Sequence, residues 1–326
     1  MRASGCVIAV SLLVRGCSSL PDVGDWFGDD AAGQAEIVAA EAAKTAGENS
    51  AAPEKAVQQL AYEKVTGSLA NRMSAALSGE NSRTRISITG QTKQKTTARL
   101  MNITALGEMD GKSVGFVQSS ILYKPDRSTL NVGLGRRMLS ADERIMFGVN
   151  TFLDYAPTYG HQRASLGVEL KSSAFELNAN QYARISDWEK GKNSKNERVM
   201  DGHEIEIGAQ IPYVPAARLF MKSWKWSGTS TVKGKTYSLE LDEMIGPGIR
   251  LEAGVMDYDG STKDQNFVNL SYNLNLGNSD AAPSSAPPLS ARMFEVASMR
   301  SQLLDEVRRN NEIIYETEFQ TTAGGI

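Results

Sequence analysis

The sequence predicts an all-β protein, a transmembrane barrel of about twelve antiparallel strands, and three observations carry that prediction. From about Arg83 to Leu276 apolar residues recur at every second position, so successive side chains face opposite sides of an extended chain. The alternating runs are eight to twelve residues long and turn signals separate them; about 9–11 residues suffice for a strand to cross a bilayer. No apolar stretch of about 18 residues follows the N-terminus, which excludes a helical span there. A soluble sandwich is the competing architecture. Two features favour the barrel. Glu204, Glu206, Glu240, Asp242, Arg250 and Glu252 lie beside glycines and asparagines on the polar faces, as a wet or plugged lumen requires. Tyr123, Tyr155, Tyr159, Trp188, Tyr213, Trp224, Trp226 and Tyr258 fall near the ends of runs, where interfacial girdles place aromatic residues.

Composition narrows the chemistry. The 326 residues carry 35 Lys+Arg against 38 Asp+Glu, a net charge of −3, so no basic surface for nucleic acid is expected. Two cysteines exclude a disulfide scaffold, and two histidines without metal-binding spacing argue against a zinc centre. His161, near Asp154, and His203, two residues after Asp201, read as exposed strand-end or loop residues. No phosphate loop, dinucleotide fingerprint or nucleophile elbow is present. No catalytic, cofactor-binding or metal residue is therefore assigned.

Taken in order, residues 1–17 read as an export signal: Arg2, then the short apolar run Cys6–Val14. Cys17, behind Gly16, resembles the acylated cysteine of a lipoprotein box; ordinary signal cleavage is the alternative. Residues 18–80 form a partly helical region in which Val57, Leu60, Val65, Leu69, Met73 and Leu77 make one amphipathic face. Most such faces dock on their own protein, and a minority bind a partner. Residues 81–277 hold the strands, expected at 83–90, 98–107, 114–123, 129–137, 144–154, 162–171, 174–185, 203–211, 217–226, 235–243, 249–258 and 265–276; the second, seventh and ninth alternate poorly. Gly133, Gly135, Gly148, Gly167, Gly208 and Gly254 fall on inward faces and leave room for a plug. Residues 278–288, rich in Ser, Ala and Pro, are a linker. Residues 289–311 are expected to be helical, with Met293, Val296, Met299, Leu303, Leu304 and Val307 as a stripe. Residues 312–326 read as a short strand and a tail.

Several motifs appear in a fixed order. Leu130–Arg137 is a glycine-rich strand ending in arginine. Phe147–Asp154 contains G-x-N-x-F-x-D, and Arg163–Glu169 runs R-x-x-x-G-x-E. Asp201–Gly208 precedes Pro212 and Pro215, and Leu304–Asn311 ends in Arg-Asn-Asn before Glu312–Glu316. Together these resemble the β-domain of inverse autotransporters, the intimin and invasin family, from about residue 66 to 319. The resemblance implies a twelve-stranded outer-membrane barrel with periplasmic N-terminal helices, whose C-terminal helix or linker runs through the pore to the cell surface. It also implies that Arg292, Arg300, Arg308 and Arg309 pair with Glu204, Glu206, Glu240 and Asp242 in the lumen. Outer-membrane lipid, the barrel-assembly machinery and periplasmic chaperones are the implied partners, together with a periplasmic or surface protein. Only Gln320–Ile326 follow the exit strand, so a β-domain without a passenger is expected. The function expected is that of a membrane anchor or translocator which displays its tail or scaffolds an envelope partner. A gated or plugged channel, or an adhesin translocator with a truncated passenger, are the alternatives.

Overall fold

The computed structural model describes residues 81–92, 94–107, 111–125, 127–260, 263–274 and 289–318. The export segment with Cys17, the expected N-terminal helices, the linker 278–288 and the tail from Phe319 lie outside the described residues.

Alternation with a period of two commits the chain to strands, and their apolar faces must then point the same way. The wall strands are β1 (Ser82–Gln91), β2 (Thr97–Leu106), β3 (Ser113–Lys124), β4 (Arg127–Leu139), β5 (Ile145–Ala156), β6 (His161–Ser172) and β7 (Phe175–Arg184). After a small hairpin, β8 (Glu189–Lys190) and β9 (Asn196–Val199), the wall resumes with β10 (Asp201–Ile211), β11 (Val214–Ser227), β12 (Thr231–Asp242), β13 (Ile249–Tyr258) and β14 (Gln265–Leu274). Each wall strand pairs antiparallel with its neighbour, and β14 pairs back onto β1, with Ile88 opposite Leu270, to close a barrel of twelve. The three poorly alternating runs are wall strands too, because a closed barrel leaves no unpaired edge at which a weak strand could stop. A three-residue strand, β15 (Tyr315–Thr317), adds antiparallel to β9 outside the wall.

The two faces of the wall are sharply different. On β6, Leu166 and Val168 are 63% and 44% exposed while Arg163, Ser165 and Glu169 are buried. Ile205 and Ile207 face outward, alternating with the buried Glu204 and Glu206. This is the reverse of a water-soluble protein, and so large an exposed apolar surface is that of a membrane-embedded wall. No helix among the described residues is long and apolar enough to cross a membrane.

Two expectations are corrected. Trp224 and Trp226 are not girdle residues; they are 9% and 4% exposed and face the lumen, in phase with Phe220 along β11. Residues 289–311 are not an α-helix: a 3-10 turn at Met299–Gln302 is the helical element in this stretch, and the rest runs as irregular or extended chain. An α-helix with its side chains is about 10–12 Å wide, and the lumen already holds Phe116, Phe152, Tyr182 and Trp226. An extended chain is narrower, and at about 3.3 Å per residue it crosses a membrane thickness in far fewer residues than a helix does.

Lipid-facing and rim positions are expected to differ in their tolerance of charge. Val168→Arg, at mid-strand, should lower the unfolding free energy in vesicles by about 2–4 kcal/mol, and Ile145→Arg, at a strand end, by about 0–1 kcal/mol. Urea titration followed by tryptophan fluorescence measures both.

Candidate functional site

The candidate site is the lumen and the segment that runs along it. β1 begins and β14 ends at one end of the barrel, here the terminal end. Segment 289–318 attaches first there. The Ser290 amide donates to the Tyr213 carbonyl and the Tyr213 amide to the Met293 carbonyl, both at 2.9 Å. The Met299 amide donates to the Glu143 carbonyl at 2.8 Å, and the Arg300 guanidinium pairs with the Glu143 carboxylate. Glu143 and Tyr213 sit in the tight turns before β5 and β11 with φ of 59° and 65°, the left-handed region that non-glycine residues seldom occupy. At the opposite, far end, β15 pairs with β9, and Glu316 accepts from Arg198 (2.6 Å) and from the Thr229 amide (2.7 Å). The segment therefore threads the whole barrel.

Between those ends the wall does for the threaded backbone what a helix would do for itself. Arg137 donates to the carbonyls of Leu303 (2.9 Å) and Asp305 (2.6 Å), and Gln118 accepts from the Val307 amide (2.9 Å). Asn180 donates to the Arg308 carbonyl (3.0 Å), Arg163 to that of Asn310 (2.8 Å) and Asn131 to that of Asn311 (3.1 Å). The Tyr182 hydroxyl accepts from the Asn310 amide (2.7 Å). Buried backbone groups must find partners, and here inward side chains of β3, β4, β6 and β7 supply them.

The structure brings some of the expected charged residues together and separates others. Arg308 meets Glu206, Glu240 (2.8 Å) and Glu252 (3.3 Å). Arg309 makes a two-pronged contact with Asp154, at 2.9 and 2.7 Å. Arg300 pairs with Glu143 at the terminal end, not with a lumen carboxylate. Arg292 is exposed, with its amide on Ser290 Oγ (2.9 Å), and is not a lumen contact. Asp242 pairs with Arg250 (2.8 Å) on the neighbouring strand, since it ends β12 at the rim, away from the threaded arginines. Glu204 accepts from Tyr182 (2.7 Å), Asn180 (3.1 Å) and the Asn310 amide (3.0 Å). Sequence reasoning did not single out Asp154, Arg137, Arg163, Arg85 or Arg99 for the lumen, although all stand at inward positions of the alternation.

Inward glycines have a different task from the one expected. Several lie directly across from an inward aromatic ring on the next strand: Gly133 from Phe152, Gly135 from Phe116, Gly208 from Phe220, Gly254 from Phe267 and Gly202 from Trp226, whereas Gly148 faces Glu169 and Gly167 faces Asn150 and Asn180. A Cβ on Gly133 or Gly135 would stand 2.3 or 2.2 Å from the opposing ring. The glycines make room for side chains of the wall itself, most of them rings, and not for a helix. The rings in turn carry guanidinium groups: Arg308 lies 3.7 Å from the Phe220 centroid, Arg309 4.2 Å from Phe152 and Arg137 4.7 Å from Phe116. Apolar anchors complete one side, with Leu304 and Val307 packed on Met101, Ile103, Phe116 and Phe152, and Met299 and Leu303 on Val114, Leu139 and Met146. The other side, toward β1, β2 and β10–β14, keeps a polar cavity of about 270 Å³.

The two histidines lie in different settings. His161 is fully buried, stacked on Tyr315 (5.7 Å between centroids) beside Glu197, so its expected exposure is corrected: the far-end hairpin folds over it. His203 is exposed on the outward face of β10. Among the described residues no cluster of ligands could hold a metal ion.

A closed wall around a bonded, threaded segment defines a membrane barrel that holds part of its own chain in its pore. The chain belongs to the inverse autotransporter β-domain family, whose model matches residues 32–311. It is similar to invasin of Yersinia enterocolitica, 27% identical over 219 residues that make up 64% of this chain and 26% of that protein. It is also similar to the inverse autotransporter adhesin YeeJ of Escherichia coli K12, 27% identical over 103 residues, 31% of this chain and 4% of that one. The chain thus spans about a quarter of invasin and a small part of YeeJ. A solved structure from work on the in-meso crystallization of membrane proteins shares the fold, with a TM-score of 0.61 and 19% identity over 72% of this chain and 100% of that one. The family places the protein in the bacterial outer membrane, among autotransporter barrels.

Two outcomes follow from the geometry. Gly133→Ala should lower the melting temperature of the barrel, at a cost of about 1–3 kcal/mol for overpacking against Phe152. Much of that loss should return in the Gly133→Ala/Phe152→Leu double variant, read as a thermal double-mutant cycle. The second concerns pH. Hydrogen bonds from Arg300, and then from Ser298, hold the Glu143 carboxyl down at about 2. A carboxylate depressed on folding gives stability that is complete above the ordinary value near 4.5 and is lost as pH falls through about 2. A nitroxide on Ala297→Cys should therefore stay immobile from pH 8 to about 5 and gain motion toward about pH 2. In Glu143→Gln it should be mobile throughout, as electron paramagnetic resonance line shapes will show.

Proposed function

We propose that the protein is an outer-membrane anchor and exporter: the barrel holds segment 289–318 in its lumen and presents outside the cell the polypeptide that follows Phe319. The observation that supports this reading best is the threading itself, from the terminal end at Tyr213 and Glu143 to β15 at the far end. The N-terminus lies in the periplasm and the far end outside. Outer-membrane barrels have short periplasmic turns and longer outer loops, and the longest described connection, residues 185–200 with the β8–β9 hairpin, is at the far end. Display of the following polypeptide is its main task; holding an envelope partner through residues 18–80 is a subsidiary one. The barrel-assembly machinery, periplasmic chaperones and outer-membrane lipid are its partners in reaching that state. A free channel fits less well, because residues 300–312 cross the lumen with their polar groups bonded to the wall.

An epitope tag inserted after Phe319 should bind antibody on intact cells. A tag reached only after lysis overturns the reading.

A further inference from the structure

The lumen wall carries charges of both signs, many of them paired: Lys222 lies 3.2 Å from Glu206, Arg250 3.5 Å from Glu240 and Arg163 2.7 Å from Asp154. Among them, Arg83, Arg85 and Arg99, on β1 and β2, are the wall cations that meet the acidic residues of the segment. Glu206, Glu240 and Asp154, on β10, β12 and β5, are the wall carboxylates that meet its basic residues. The crossing segment reads acid-acid-apolar-base-base from Asp305 to Arg309. Asp305 meets Arg83 (2.6 Å), and Glu306 meets Arg85 (3.1 Å) and Arg99. Arg308 and Arg309 meet the carboxylates, and Val307 packs between the two groups on apolar wall residues.

The wall's grip on carbonyls and amides is blind to sequence. Arg137, Gln118, Asn180 and Arg163 would hold any residue at any register, because every peptide unit offers the same donor and acceptor. Discrimination must come from the side chains. Sliding the segment by three residues toward the terminal end would set Arg308 among the three wall arginines. Sliding it the same distance the other way would bring Asp305 to the carboxylates. Like charges in a narrow, partly dry lumen repel far more strongly than on an exposed surface.

We propose that Asp305, Glu306, Arg308 and Arg309 are register-setting residues: they decide which stretch of a chain moving through the lumen comes to rest there. The specificity lies in charge order, not in the bonds that hold the backbone. It rests on the exporter reading for the motion, while the resting register can be measured independently.

The test uses the full chain in cell envelopes. Gln118→Cys is combined with Val307→Cys for the native register, or with Leu304→Cys for a register shifted by three, and disulfides are identified by mass spectrometry. The native charges should give the 118–307 link. Reversing all four charges (Asp305→Lys, Glu306→Lys, Arg308→Glu, Arg309→Glu) should cut that link at least tenfold and bring up shifted ones. In a chain reversed only at Glu306 and Arg308, which should also lose the link, reversing their wall partners Arg85, Arg99, Glu206 and Glu240 should restore it. An unchanged 118–307 link in the reversed chain overturns the proposal. Heat-modifiable gel migration reports barrel folding; if the reversed chain gives no folded barrel, Arg308→Gln/Arg309→Gln takes its place, with mixed registers expected and an unchanged link again fatal. A tag after Phe319 in the same cells separates the two readings, since a native register with an inaccessible tag would count against export alone.

Discussion

Asp154 is the point on which the lumen depends. Its carboxylate is 0% exposed and holds Arg309 of the threaded segment, Arg163 of the adjacent strand and Asn131 on the other side. Those wall partners then reach the carbonyls of Asn310 and Asn311. One buried anion thus fixes a cation of the segment and, through two neighbours, the backbone beyond it. A buried charge is expensive to desolvate, and losing either partner would leave the other stranded. The arrangement is therefore better understood as fixing one geometry than as adding stability.

Around that anion the wall is built in two interlocking layers. Strand registers set a glycine against each of several inward rings, so the rings lie flat on the wall and leave their outer faces to guanidinium groups. The β-barrel alternation that gives lipid its apolar side gives the lumen this platform on the other. Apolar packing is concentrated on β2–β5, and the opposite half remains polar and less filled. The segment is consequently docked to one side of the pore instead of centred in it.

The strands were legible because a period of two needs no tertiary knowledge; even the irregular run around Val214–Ser227 could be placed, with its start three residues late. The lumen was half legible. Arg308 with Glu206 and Glu240 follows from inward-facing charge, but Asp154 and Arg163 look like any polar alternation until the barrel closes around them. The helix at 289–311 misled for a physical reason. Met299, Leu303, Leu304 and Val307 do form an apolar stripe, and all four are buried, but the stripe answers to grooves in the wall. Met293 and Val296, which the same helical stripe contained, are exposed. Periodicity shows that a face is covered; it does not show whether the chain's own backbone or its neighbour's side chains satisfy the peptide groups. Trp224 and Trp226 misled similarly, since a position near a strand end says nothing about which side of the wall a ring occupies.

The far-end sheet has a mechanical consequence. β15 runs antiparallel to β9 over three residue pairs, and Glu316 grips the turn between β11 and β12. Tension on the polypeptide beyond Thr317 would act along the strand, so the rungs between β15 and β9 would be sheared together and not peeled one at a time. Behind them, still unstrained, stand the guanidinium contacts deep in the pore, so a tug from the far end meets two restraints in series before it reaches the turns at the terminal end.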